Sequence, residues 1–188
     1  MRHPAVIACL LLAIASGCAS PPSRFYTLSA AAAPAATVST VSVAVGPVSL
    51  PAVVDRPQIV VSTGANEVRL DEFNRWASPL ADNIVRVLAD NLARELGTAR
   101  VWPYGQATRS SPDHQVLIDF QRFDSTLGEG VLIEALWTVR PAAGGAAKSG
   151  RSQVREPSAG AGFEALVAAH SRALARVSGD IAAAIRAP

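Results

Sequence analysis

Lysine is almost missing from this chain. Lys148 is its single example, and the 17 basic residues are otherwise arginines set against 15 acidic ones. No cluster of cations appears, so a nucleic-acid footprint is excluded as the basis of function. Cysteine is equally scarce, with only Cys9 and Cys18. Aromatic residues make up 5% of the chain, and no run is long and apolar enough to span a bilayer, which takes about 20 residues. Nor is there a Gly-x-Ser-x-Gly elbow, a P-loop, a Gly-x-Gly-x-x-Gly fingerprint or a His-Glu-x-x-His helix. The sequence therefore offers no positive sign of an enzyme and no motif for a metal or cofactor. Of the three histidines, His114 and His170 read as ordinary surface or core residues rather than catalytic bases.

The first residues carry the clearest signal. Arg2 precedes an uncharged apolar run from Ala5 to Ala15, and the small residues Ser16 and Gly17 then lead to Cys18. A short positive region, a brief apolar core and a small-residue cleavage site make a secretory signal peptide. Ala15-Ser16-Gly17-Cys18 resembles a bacterial lipobox, although Ala stands where Leu is usual. Val6-Ile7-Ala8-Cys9 fits formally but leaves too short an apolar stretch before it. Residues 1–17 are thus expected to be removed and Cys18 acylated, with several chains together anchoring firmly at about 0.8 kcal/mol per buried methylene. Ala19 rather than Asp after Cys18 implies an outer-membrane address, with the domain facing the periplasm. The mature chain would hold 188 − 17 = 171 residues, suited to one domain, and no free thiol.

Residues 18–40 read as an acylated tether with a small strand-like island at Phe25–Leu28, reaching at most ~70 Å if extended. The domain proper is expected over 41–188. Alternating Val41, Val43 and Val45, broken by Gly46-Pro47, predict a bulged strand, and Gln58–Thr63 with Glu67–Leu70 predict a hairpin. Ser78 as N-cap and Pro79 at the first helical position open a helix that repeats Leu80, Ile84, Leu88, Leu92 and Leu96, and Gly97 stops it. Asp82, Arg86, Asp90 and Arg94 give it i,i+4 opposite charges on another face. Strands are predicted at Ala99–Tyr104, Gln115–Phe123, Val131–Arg140 and Ser149–Glu156. A last helix runs from about Phe163 to Arg186, with His170 on its mainly apolar face. The pattern is that of an α+β fold, a largely antiparallel sheet with two long helices packed on one face.

Asp55-Arg56-Pro57-Gln58 and Phe73-Asn74-Arg75-Trp76 stand out as stiff or bulky residues among polar neighbours. Phe73 and Trp76 read first as a hydrophobic staple that packs the start of the helix onto the sheet. Asp55, Arg56, Pro57, Arg75, Trp76 and Pro79 are the candidates for a partner surface, since Trp and Arg are enriched at binding hot spots.

Val45-Gly46-Pro47-Val48-Ser49-Leu50-Pro51, the Asp55–Val60 stretch and Phe73-Asn74-Arg75-Trp76-Ala77-Ser78-Pro79-Leu80 together resemble the ABC-type transport auxiliary lipoprotein family. Arg24-Phe25-Tyr26-Thr27-Leu28 after the lipidated Cys, and Asn91-Leu92 before Gly97, fit in the same order. The resemblance implies an outer-membrane lipoprotein that works beside an MCE-domain protein and an ABC transporter complex, in systems moving lipids or other hydrophobic molecules between membranes. It implies docking rather than catalysis. A partner that docks as a ring would favour a homo-oligomer of this chain. Two other readings come from different classes: a carrier with a dry pocket between the Gln115–Phe123 and Val131–Arg140 strands, and an envelope hydrolase using His114 or His170.

Overall fold

A computed structural model describes residues 21–35, 37–105 and 111–187. The expected signal peptide, Cys18 and Ala19 lie outside them. The elements in order are β1 (Arg24–Tyr26), β2 (Val43–Ser49), β3 (Gln58–Gly64), β4 (Glu67–Trp76), α1 (Leu80–Leu96), β5 (Val101–Pro103), β6 (His114–Thr126), β7 (Gly130–Pro141), β8 (Lys148–Pro157) and α2 (Phe163–Arg186). The α+β expectation is borne out, with two sheets rather than one. Five strands run in the order β5-β2-β6-β7-β8, and three in the order β1-β4-β3.

Short loops dictate the antiparallel pairs β3–β4, β6–β7 and β7–β8, while β2 lies parallel to both β5 and β6, and β1 parallel to β4. Parallel neighbours need crossover connections, and the chain supplies them by passing through α1 before it returns beside β2. Alternation along the long strands turns Val116, Ile118, Phe120, Ile133, Ala135, Val139 and Val154 inward. Gln121 is the extra residue of a bulge between the Phe120 and Arg122 pairings, so Phe120 and Phe123 both face the core and meet edge to face, centroids 5.9 Å apart. The apolar stripes of α1 and α2 cover this face, with Ile84, Leu88, Leu92, Leu166, Leu174, Val177 and Ile181 fully buried.

Several boundaries differ from expectation for local reasons. Pro79, not Ser78, occupies the N-cap of α1: its backbone is extended and its carbonyl accepts from Asn83 N at 3.1 Å. β4 continues past Leu70 to Trp76, so Phe73 and Trp76 belong to a strand, and Trp76 packs edge-on against His170 of α2. The C-terminal stop at Gly97 is as expected. Its φ is +65°, and a Cβ there would sit 2.1 Å from the Thr37 carbonyl oxygen.

That contact belongs to a larger departure. Residues 28–35 and 37–39, read as tether, lie along the helices. Leu28 and Ala32 are buried, Asn91 Oδ1 accepts from Ala31 N at 2.9 Å and Ala32 N at 3.0 Å, and Ala35 N and Ser39 N donate to the Arg94 and Gly97 carbonyls. The alanines that look featureless in sequence are small enough to lie flat on a helix surface.

Candidate functional site

The two motifs singled out in the sequence meet at one corner of the three-stranded sheet. A tight turn over residues 51–57 is closed by Val54 N to Pro51 O at 3.0 Å and Arg56 N to Val54 O at 2.8 Å, and it is pinned by the buried Val54. Pro57 cannot donate to a ladder, yet its carbonyl accepts from Trp76 N at 2.8 Å. Gln58 and Arg75 are register partners, and on the other side of β4 Arg75 is paired with Phe25 and Trp76 with Tyr26.

A bulge shapes the approach to this corner. The pairing jumps from Ile59–Asp71 to Gln58–Arg75, and Asp71 Oδ1 collects Phe73 N at 3.0 Å, Asn74 N at 2.8 Å and Asn74 Nδ2 at 2.9 Å. Burial pushes the Asp71 carboxyl up, but these three donors and the nearby Arg69 outweigh it and hold the group below its ordinary value. Tyr26 donates its hydroxyl to Asn74 Oδ1 at 2.8 Å, which ties β1 to the bulge.

The six predicted residues divide sharply. Asp55, Pro57 and Pro79 are exposed, and Arg56 and Arg75 are half-buried. Trp76 is buried and contributes support from beneath, not contact area. Arg56 and Arg75 each bury Nε with no hydrogen-bond partner, and Arg56 has only a long 3.5 Å contact from Nη2 to Ala52 O. A guanidinium partly withdrawn from water without a carboxylate is costly.

Under the corner lies a sealed aromatic stack. His170 is fully buried, its ring parallel to Phe123 at 4.2 Å and its Nε2 2.7 Å from Ser125 Oγ. Burial lowers its pKa to about 3, so the imidazole is neutral. A neutral ring enclosed by Trp76, Phe123 and Ser125 offers no route to a substrate. His114 starts β6, and its neighbour Asp113 is held below its ordinary pKa first by the Ser42 hydroxyl and then by the Ser42 amide, with Arg100 and His114 adding to the effect against burial. Asp113 thereby fastens the start of β2, a structural task.

Sequence reasoning missed the polar residues that clamp the N-terminal segment. Arg86 Nη2 donates to Leu28 O at 2.8 Å and to Asn83 Oδ1 at 2.9 Å, and Asn91 holds Ala31 and Ala32. The available signal was two asparagines, poor helix formers, beside the leucine stripe of α1. The expected charge pairing on that helix is present once, Arg86 to Asp90 at 3.5 Å, where half-exposed partners contribute little.

Clefts are open and mixed in character. One near the hairpin tips is lined by Val68, Leu132, Arg122, Asp124, Arg155 and Glu156, and a second, of about 680 Å³, lies between β1 and the start of α2. Among the described residues no helix is long and apolar enough to cross a membrane.

The described residues form a packed α+β domain with an apolar core and open clefts. Residues 26–182 match the family described as the ABC-type transport auxiliary lipoprotein component, and the chain belongs to it. The family's task is that of an auxiliary component of transport. A crystal structure of an uncharacterized protein is similar over 88% of this chain and 99% of its own, at 20% identity and TM-score 0.71. A Xanthomonas campestris protein of family DUF330 is similar over 84% of this chain and 92% of its own, at 20% identity and TM-score 0.67. Both likenesses establish the fold. No curated protein sequence matches the chain.

Proposed function

We propose that this chain is an outer-membrane-anchored accessory lipoprotein, acylated at Cys18 after loss of residues 1–17, that docks an MCE-domain protein of an ABC-type intermembrane transport system. The cargo class is a lipid or another hydrophobic solute, and the domain acts by binding partners rather than by catalysis. The observation that carries the docking role is the half-buried Arg56, held only by a long contact to Ala52 O on the exposed 51–57 turn where both sequence motifs converge. Asp55, Arg56, Pro57 and Pro79 form the proposed contact rim, and Trp76 holds it from below.

The carrier reading needs space between β6 and β7 and the helices. Instead Phe120, Ile133 and Val139 are packed against α1 and α2 in one apolar cluster, which favours docking. Likewise the hydrolase reading needs a reachable base with an orienting partner: His170 is enclosed, and the carboxylate beside His114, Asp113, is taken up by Ser42.

The test is affinity capture of the anchored protein from mildly cross-linked membranes, followed by mass spectrometry. Recovery of an MCE-domain protein, diminished by Arg56→Glu, is the expected result. Recovery of no transport component from intact, outer-membrane-located protein would overturn docking and favour the carrier.

A further inference from the structure

Phe25 is 63% exposed although it is the middle residue of a strand. Its register partner is Arg75, so the two side chains leave the sheet on the same side; Phe73, 38% exposed, lies in the adjoining bulge of β4. On the other flank Phe25 and Arg24 wall the 680 Å³ cleft whose floor is Phe163, Val167 and Ala168. Exposed phenyl rings alternating with arginines are costly in water and well suited to the boundary between headgroups and acyl chains.

Chain geometry places this surface. Arg24 follows Cys18 by six residues in the sequence, a reach of at most ~20 Å at about 3.3 Å per residue. Pro21 and Pro22 within that stretch stiffen it and keep the strand from extending toward Cys18, because neither can donate to the ladder. An anchor at Cys18 therefore delivers β1, before any other strand, to the bilayer surface.

We propose that β1 and the adjoining end of β4 form a membrane-contacting surface for a phospholipid bilayer. Phe25 and Phe73 enter the interface, and Arg24 and Arg75 meet headgroup phosphates. Glu164 lines the same cleft and fits the ammonium of an ethanolamine headgroup, so the surface matches a phosphatidylethanolamine-rich leaflet rather than a purely anionic one. The half-buried Arg75 then serves the lipid side of this corner, while Arg56, on the 51–57 turn, stays available to a protein partner. The inference rests on Cys18 as the lipid anchor and adds a fixed orientation to it.

The experiment uses a chain beginning at Cys18, which keeps every described residue and has one thiol, since the other cysteine is Cys9. Coupling that thiol to a maleimide lipid in vesicles of phosphatidylethanolamine and phosphatidylglycerol supplies the anchor chemically. Hydroxyl-radical footprinting then compares coupled with uncoupled protein. Labelling of Phe25 and Phe73 should fall severalfold on coupling, while Tyr104, exposed in a different cleft beside Gly46, should not change. In uncoupled protein, Phe25→Ser should weaken partitioning onto the same vesicles by roughly tenfold, from loss of one buried ring, with an unchanged melting temperature. Unchanged labelling of Phe25 on coupling, or an equal loss at Tyr104, would overturn the surface. Because the coupling is chemical, that failure leaves natural acylation of Cys18 untouched; cell fractionation of Cys18→Ser judges it separately.

Discussion

Enclosing His170 between Phe123, Trp76 and Ser125 costs the ring its proton, and this makes one residue a measurable source of acid sensitivity. Its folded pKa, about 3, lies below the ordinary 6.5 because burial penalises the charged form. Below pH 6.5 the unfolded chain takes up a proton that the folded chain refuses, so stability falls from there down to about pH 3. At pH 5 the single group should cost about 2 kcal/mol relative to pH 7.5. Asp71 and Asp113 act in a lower window. Their depressed pKa values contribute stability above 3.8, and it is lost as pH falls further. Urea unfolding between pH 7.5 and 5 should therefore show a slope that His170→Phe removes. An identical slope in that variant would mean the imidazole is not the titrating group. Neither the ring's isolation nor its neighbours could be read from the sequence, which put His170 on the right helix face but could not bring β6 beneath it.

Among the elements, α1 does more than its leucine repeat advertises. The repeat, the stop at Gly97 and the hairpins were legible because each rests on chemistry within a few residues: period, φ preference and loop length. The β1–β4 pairing was not, since it joins residues 50 positions apart through backbone groups that carry no side-chain signature. The bulge built by Asp71 is local, yet its three donors become visible only once β3 fixes where pairing jumps. The docking of residues 28–35 and 37–39 escaped for a related reason, because an Ala-Pro-Ser segment looks the same free or bound. Here Asn91 decides. Replacing it with Ala would leave the buried amide of Ala32 without an acceptor, along with the part-buried one of Ala31, a loss of about 1–3 kcal/mol. Hydrogen exchange should then quicken at residues 31 and 32 while the amides of α1 stay slow. Equal quickening throughout α1 would instead make Asn91 a general support of the helix.

For the whole molecule, the docked segment changes what the anchor can do. If residues 19–40 swung freely, the domain could sample a shell up to ~70 Å deep above the membrane. With residues 28–35 and 37–39 held against α1 and β1 paired with β4, the proposed anchor at Cys18 would leave only the stretch to Arg24 between lipid and folded protein, and would confine the domain to the membrane surface. Such confinement would raise the effective concentration of the Arg56 corner toward the proposed partner, and a short stiff link would do so more than a long one. Two consequences separate anchor from fold. Cys18→Ser should abolish membrane fractionation and transport function but leave the unfolding transition of the purified domain unchanged, because residue 18 precedes every described contact. A long Gly-Ser insertion after Ser20 should keep the protein in the membrane fraction yet lower transport, since the corner now explores a larger volume. Membrane-fractionated Cys18→Ser protein with normal transport would remove acylation from the account. Full activity with the insertion would show that the anchor works by address alone, without the short reach that the folded segment imposes.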